Sequence, residues 1–467
     1  AQIAAPADAP ITADAETLIV YASQTGGAER LARQTALAFD GAAVVPLSRL
    51  DDALLGPARR ALFIISTYGE GEPPDMARAF ARSKMSEGAS LEHLDYALLA
   101  LGDREYPDFC AFGHHVDHWL HARGAKRLFD VIEMDREDPD AQRQWQQQIV
   151  AIGARNDLPD WQPASYQPWR LVERLLLNPG SQGAPAFHIA LEPTDGSAGD
   201  WQAGDIAEIS PRHSQEQLLA WLKSAGLDGN AIIDGLRLDQ HLSASILPAR
   251  ETVQGLDAAE VVKALQPLPH REYSIASIPQ DGQVHLLVRQ VRSATGQLGL
   301  GSGWLTSIVA EGGEVALRLR DNPNFRQSDH DQPMIMIGNG TGLAGLRAHL
   351  HQRAHQGAGR NWLLLGERSA RFDAFHDAEL THHLETGLLT RLDRAWSRDA
   401  DCGRYVQDLV DEAASDIRDW VEQGASIYVC GSIEGMAPAV DRVLRDIIGD
   451  EMLETMIDAG RYRRDIY

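Results

Sequence analysis

The chain has 467 residues, 44% hydrophobic and 24% charged, which excludes a disordered, collagenous or coiled-coil protein and suggests about three domains. Its net charge of −24 disfavours nucleic acid and anionic lipid, which are bound by neutralising phosphate, and suits solubility or a basic protein partner. Three cysteines, Cys110, Cys402 and Cys430, give neither a disulfide framework nor zinc spacing, and no apolar run reaches the ~20 residues of a membrane span.

Residues 1–16, rich in Ala and Pro, read as a linker or the cut edge of a longer chain. From Thr17 short apolar strands alternate with amphipathic helices, LIVYAS, ALFIIST and YALLALG among the strands. Such alternation predicts a parallel sheet with helices on both faces, over residues 17–153. A Pro-bearing connector, 154–169, follows. Dense strands over 170–331, among them FHIALEP, REYSIASIP and VHLLVRQV, predict an antiparallel barrel, interrupted by a helical insert at about 215–265. The βα alternation returns over 332–467. The expected fold is therefore α/β plus barrel.

Three turns in the first region carry chemistry. SQTGGAE, Ser23 to Glu29, follows a strand and opens a helix; small residues with exposed N–H groups at a helix start cradle phosphate. STYGEGEPPD places Tyr68 after the second strand of the reading, and LGDREYPDFC places Tyr106 after the third. Two aromatics on neighbouring loops at the strand carboxyl ends are suited to sandwich a flat ring.

These segments closely resemble the flavodoxin-like FMN domain of the NADPH-dependent diflavin reductases. The resemblance implies that Ser23, Gln24, Thr25, Gly26 and Ala28 hold the FMN phosphate, with Gly27 standing where the family usually has Thr or Asn. It also implies that Thr67, Tyr68, Gly69, Gly102, Asp103 and Tyr106 surround the isoalloxazine.

On the barrel, REYS (Arg271 to Ser274) offers an arginine, an aromatic and a hydroxyl on one short strand, and GLGSGWL from Gly299 is a small-residue turn into a helix. Together they resemble the RxYS and GxxS motifs of the FAD barrel in the ferredoxin–NADP reductase class. That resemblance assigns Arg271, Gly299, Gly301 and Ser302 to the pyrophosphate region, Tyr273 to the flavin and Ser274 to its reactive edge; the turn from Trp201 to Asp205 is structural.

In the last region GNGTG, with Gly340, Thr341 and Gly342, follows a strand and opens a helix, permitting close approach to a pyrophosphate. Asn339 and Gly345 stand where the family has Pro, which loosens the turn. Ser397 and Arg398 suit a 2′-phosphate, with Tyr405 and Gln407 beyond them. The family's Lys two residues before the Tyr is Gly403 here, and Arg404 stands one place late. The resemblance further implies that Cys430 and Asp465 lie near the nicotinamide with Ser274, and that the terminal Tyr467 covers the FAD ring. His114 and His118, four apart on a helix, read as a solvated face, and no metal is expected.

The whole pattern implies an enzyme passing electrons from NADPH to FAD to FMN and on to a one-electron acceptor protein or iron centre, reached through the acidic FMN domain. The expected location is cytoplasmic. Two alternatives stand: the soluble part of a membrane-anchored ferric or ferric-siderophore reductase, and a non-catalytic flavin-binding module.

Overall fold

The computed structural model describes residues 15–467 apart from 25, 69–70, 86–87, 105, 137, 156–157, 159, 162–164, 197–198, 295, 323–324, 328–330 and 400–402, and apart from the side chains of 454 and 458. Thr25, Gly69 and Cys402 lie outside the described residues, as does most of the 1–16 segment. The chain divides into two compact units, Ala1–Pro163 and Ala164–Tyr467.

In the first unit, β1 (Thr17–Ala22), β3 (Arg60–Ser66) and β4 (Asp95–Gly102) are the three apolar runs seen in the sequence. Their interiors are buried apart from the half-buried Tyr21, as strands covered on both faces must be. They pair in parallel with β2 (Ala43–Pro46), β5 (Lys126–Arg127) and β6 (Ile132–Asp135), in the order β2-β1-β3-β4-β5, with β6 also beside β4. The order reverses between β1 and β3. Ligands of such sheets bind outside the carboxyl ends at that reversal.

The second unit opens on an antiparallel sheet: β7 (Gln167–Leu176), β8 (Ala186–Pro193), β9 (Ile206–Ser210), β14 (Arg271–Ser274), β15 (Val284–Arg289) and β16 (Glu314–Arg320). β7 begins inside the segment read as connector, because Trp169 and Leu171 are core residues. The strand order is β14-β9-β16-β7-β8-β15, and a bridge between Ile275 and Leu286 joins the two ends into a barrel.

The insert occupies the connection from β9 to β14. Its helices, among them Gln215–Ala225 and Leu238–Ser243, and its two short antiparallel strand pairs, β10 (Ile232–Ile233) with β11 (Leu236–Arg237) and β12 (Ser245–Ile246) with β13 (Gln266–Pro267), enclose a small core of Leu218, Leu222, Leu238 and Leu242. Ser214 caps the first helix with a reciprocal bond to Gln217, and Gly226 ends it in the left-handed region.

The remainder is a parallel sheet of β17 (Met334–Asn339), β18 (Asn361–Glu367), β19 (Leu389–Trp396), β20 (Ser426–Gly431) and β21 (Tyr462–Ile466), in the order β19-β18-β17-β20-β21. Its reversal lies between β17 and β20, again marking the nucleotide crevice. Among the described residues no helix is long and apolar enough to cross a membrane.

Candidate flavin and nicotinamide sites

In the first unit the Ser23–Ala28 turn links β1 to the helix Gly27–Ala36 at the sheet reversal. Gly26 has φ of 90°, which an L side chain rarely adopts, and its N–H donates to Ser23 Oγ at 2.9 Å. Among the described residues no side chain caps this helix, which leaves its first-turn N–H groups available to an anion. Gln24 does something else with its side chain: it accepts from Asp75 N at 2.8 Å and donates to Asp75 Oδ2 at 3.1 Å, tying this turn to the loop after β3.

Tyr68 and Tyr106 stand on the loops after β3 and β4, 45% and 46% exposed. Large aromatics held out on two loops at one sheet edge fit a flat ring that is bound there. Tyr68 is pinned by paired backbone bonds with Glu72, and Thr67 Oγ1 accepts from Phe112 N at 3.2 Å. A Cβ on Gly102 would lie 2.7 Å from Cys110 N, so only glycine fits there. Asp103 holds Arg136 at 2.9 Å, which makes its side chain a loop anchor. His118 is exposed as expected, whereas His114 Nε2 meets Glu133 Oε1 at 2.8 Å, a partner from β6 that the sequence did not reveal.

In the second unit the two motifs expected to hold FAD meet. A Cβ on Gly301 would come 2.5 Å from Arg271 Cγ and 2.8 Å from Tyr273 Oη, so the turn beginning at Gly299 packs directly on REYS. Ser302 is buried and its Oγ accepts from Val291 N at 3.1 Å. The Trp201–Asp205 turn is structural, as expected: Trp201 Nε1 donates to Ser277 O, and Asp205 holds Arg326 through two bonds of 2.7 Å.

Ser274 Oγ lies 2.5 Å from Asp465 Oδ2, and Cys430 Sγ approaches the same oxygen at 3.6 Å. Burial raises the Asp465 pKa against the lowering effect of Ser274; burial and Asp465 together push the Cys430 thiol up. Tyr467 follows β21, its N–H bonded to Gly431 O and its carbonyl oxygen accepting from Ile433 N. As the last residue it is 44% exposed overall, and its Oη lies 3.4 Å from Thr341 Oγ1.

A cleft of about 730 Å³ opens beside this cluster, and Gly340, Thr341, Ser397, Tyr405, Gln407 and Tyr467 line it. That volume is typical of a small-molecule site. Gly342 lies against β20, where a Cβ would be 2.1 Å from Cys430 O. The turn is not loosened by Asn339, because Asn339 Oδ1 accepts from Ser432 N at 3.0 Å and fastens β17 to the end of β20. Arg398 is outside the lining, while Arg404 is part of it, paired with Glu412. Arg289 and Glu367, 3.4 Å apart, line the cleft without having been singled out in the sequence. Each ends an apolar strand, and only the tertiary fold brings them together.

A nucleotide crevice built against an antiparallel barrel, in a chain that also carries a separate sheet with a phosphate-cradling turn and paired tyrosines, is the architecture of a flavin-dependent nicotinamide oxidoreductase. The comparisons agree. Residues 19–145 match the Flavodoxin family, and residues 336–442 match the oxidoreductase NAD-binding domain family. The whole chain aligns at 32% identity with 91% of the sulfite reductase (NADPH) flavoprotein alpha-component of Yersinia enterocolitica. It aligns at 31% with 92% of the Klebsiella pneumoniae protein of that name, and 96% of it aligns at 31% with 89% of the Salmonella typhi one. The chain belongs to the NADPH-dependent diflavin reductase family. It is an oxidoreductase that uses FMN, FAD and NADPH and transfers electrons from NADPH to flavin.

Proposed function

We propose that this reductase delivers single electrons to a haem or iron centre on a partner protein; the relatives are named as the flavoprotein alpha-component of an NADPH sulfite reductase. Nicotinamide supplies two electrons at once and iron centres take one, and bound flavins bridge the two. The protein's part is placement. Ser23, Gly26, Gly27 and Ala28 would hold the FMN phosphate through backbone N–H groups, with Tyr68 and Tyr106 against the ring. Arg271, Tyr273 and Ser302 would hold FAD, and Ser274, Cys430 and Asp465 would position the nicotinamide.

The observation that supports the reading is the Ser274–Asp465 contact at 2.5 Å beside Cys430 and the cleft, because it brings together three polar or thiol groups of distant sequence that could position a nicotinamide. Exposed Glu72, Asp75 and Asp108 flank the tyrosine loops, which favours a basic acceptor surface and a rate that falls with salt. A soluble, cytoplasmic setting accords with these features. The test is NADPH-driven cytochrome c reduction by the flavin-loaded chain over a range of ionic strength. A rate insensitive to salt would remove the acidic docking face; no reduction at all would remove the one-electron role.

A further inference from the structure

Away from the flavin and nicotinamide residues, the helix Leu343–Gln356 and the helix Asp377–Glu385 bring together a second group of polar side chains. Glu379 and His383 are four residues apart on one helix, with His383 Nε2 3.9 Å from Glu379 Oε1. His351, from the other helix, places Nε2 3.1 Å from that same oxygen. The ligand atoms of the three all lie within 4.8 Å of one another. We infer that His351, Glu379 and His383 form a binding site for one borderline divalent cation, of the zinc or cobalt(II) class.

The donor set fits that class. Two imidazoles and a carboxylate, with a fourth position left open, are the usual protein ligands of tetrahedral zinc, whereas magnesium and calcium want oxygen. Ligands at about 2.0–2.1 Å from a tetrahedral metal stand about 3.4 Å apart, between the 3.1 and 3.9 Å that separate Glu379 from the two histidines, whose own ligand atoms lie within 4.8 Å of each other. A cation enters with little side-chain movement.

The surroundings orient the donors. His351 Nδ1 is 2.8 Å from Asp281 Oδ2, on the turn before β15; a proton held there on Nδ1 leaves Nε2 as the ligand atom. Outer carboxylates do this for metal-bound histidines generally. His383 Nε2 is buried and has no hydrogen-bond partner, which a ligand role explains. His376 Nδ1 lies 3.7 Å from Glu379 Oε2 and offers a further donor nearby. Side-chain exposures of 16%, 25% and 15% for His351, Glu379 and His383 leave a path in from solvent.

Two contacts oppose the site. His351 Nε2 is hydrogen-bonded to Glu379 Oε1 at 3.1 Å, and a cation must displace the proton of that bond. Arg347 donates to both oxygens of Glu379, at 2.8 and 2.7 Å, and its charge repels a cation. A carboxylate has about four lone-pair positions, so Oε1 still has room to coordinate. Arg347 therefore lowers the affinity and fixes the carboxylate's orientation. A bound cation would join the two helices to the turn carrying Asp281, so its effect is on stability; none of the three ligands lines the nicotinamide cleft.

The experiment uses the flavin-loaded chain, stripped with chelator and dialysed against zinc, with metal and protein measured together. The wild type should hold one zinc per chain and unfold at a higher temperature than the stripped form. His383→Asn and His351→Asn should each lose the bound zinc and the thermal shift while retaining NADPH-driven cytochrome c reduction. Asp281→Asn should weaken zinc about 10–100-fold, the usual effect of removing an outer partner. His383→Cys, which keeps a ligand, should retain the metal and shows that loss in His383→Asn is not misfolding. Absence of stoichiometric zinc in the wild type, or equal zinc in the wild type and both Asn variants, overturns the site.

Discussion

Ser274 Oγ and Asp465 Oδ2 lie 2.5 Å apart although 191 residues separate them. The bond joins the REYS strand of the barrel to the last strand of the nucleotide sheet, two residues before the terminal tyrosine. If the pair positions the nicotinamide, Asp465→Ala should slow NADPH-driven flavin reduction by about 10²-fold, the scale set by misplacing a reactant by ~1 Å. Ser274→Ala should act in the same direction, and the double variant should lose little more than the worse single one, because groups working as a unit are not additive. Anaerobic rapid-mixing measurements decide this; additive losses would mean the two residues act separately.

Discrimination between NADPH and NADH should rest more on Arg404 than on Arg398, since Arg404 lines the cleft with Ser397, Tyr405 and Gln407. Arg404→Ala should weaken NADPH by about 1–3 kcal/mol, the range for a charge-assisted bond losing one partner. NADH should be nearly unaffected. Steady-state constants for both nucleotides are the check, and an equal loss for both would assign Arg404 to the fold through its pair with Glu412.

Tyr467 is tied down at its backbone by Gly431 and Ile433, and it lines the cleft. A ring lying where the nicotinamide must stack is a competitor, and a nucleotide displaces it only by offsetting that loss elsewhere. NADPH has the 2′-phosphate for this; NADH does not. Tyr467→Ala should therefore raise kcat/KM for NADH far more than for NADPH. An unchanged ratio between the two would show that the terminal ring guards nothing.

Glu367 supplies a pH dependence. Burial, opposed by Arg289 and reinforced by Asp373, pushes its pKa from 4.5 up to about 7. Between those values the folded chain holds a proton that the unfolded chain has released, so this group's contribution to stability falls as pH rises from about 4.5 to 7. At 1.36 kcal/mol per unit, the loss approaches about 3 kcal/mol. Glu367→Gln should leave stability at pH 5 nearly unchanged and raise it at pH 8. Denaturant unfolding at the two pH values would falsify this if the variant and wild type kept the same difference.

Much of the site was legible because its motifs are local. SQTGGAE, REYS and GNGTG each put small or polar residues on a turn or strand end whose backbone need is set within a few residues. Strand β2, AVVP, escaped notice because four residues at a sheet edge carry little periodicity and end on a proline. β21, YRRDI, is equally hard to see, since only its first and last residues are buried. The Arg289–Glu367 and His351–Glu379–His383 groupings were not legible at all. They arise from tertiary packing of segments tens of residues apart, which no local pattern records. Gln24 and Asp103 sit where the motifs put them, but their side chains hold Asp75 and Arg136; a motif fixes position more firmly than it fixes the partner.

The proposed route carries electrons in order, from NADPH to FAD to FMN to the acceptor. Selective removal of FMN from the purified chain, followed by parallel assays of NADPH oxidation with ferricyanide and of cytochrome c reduction, tests it most directly. NADPH oxidation through FAD should persist while cytochrome c reduction is lost, and cytochrome c reduction should return with added FMN. Cytochrome c reduction undiminished in the FMN-free protein would contradict it.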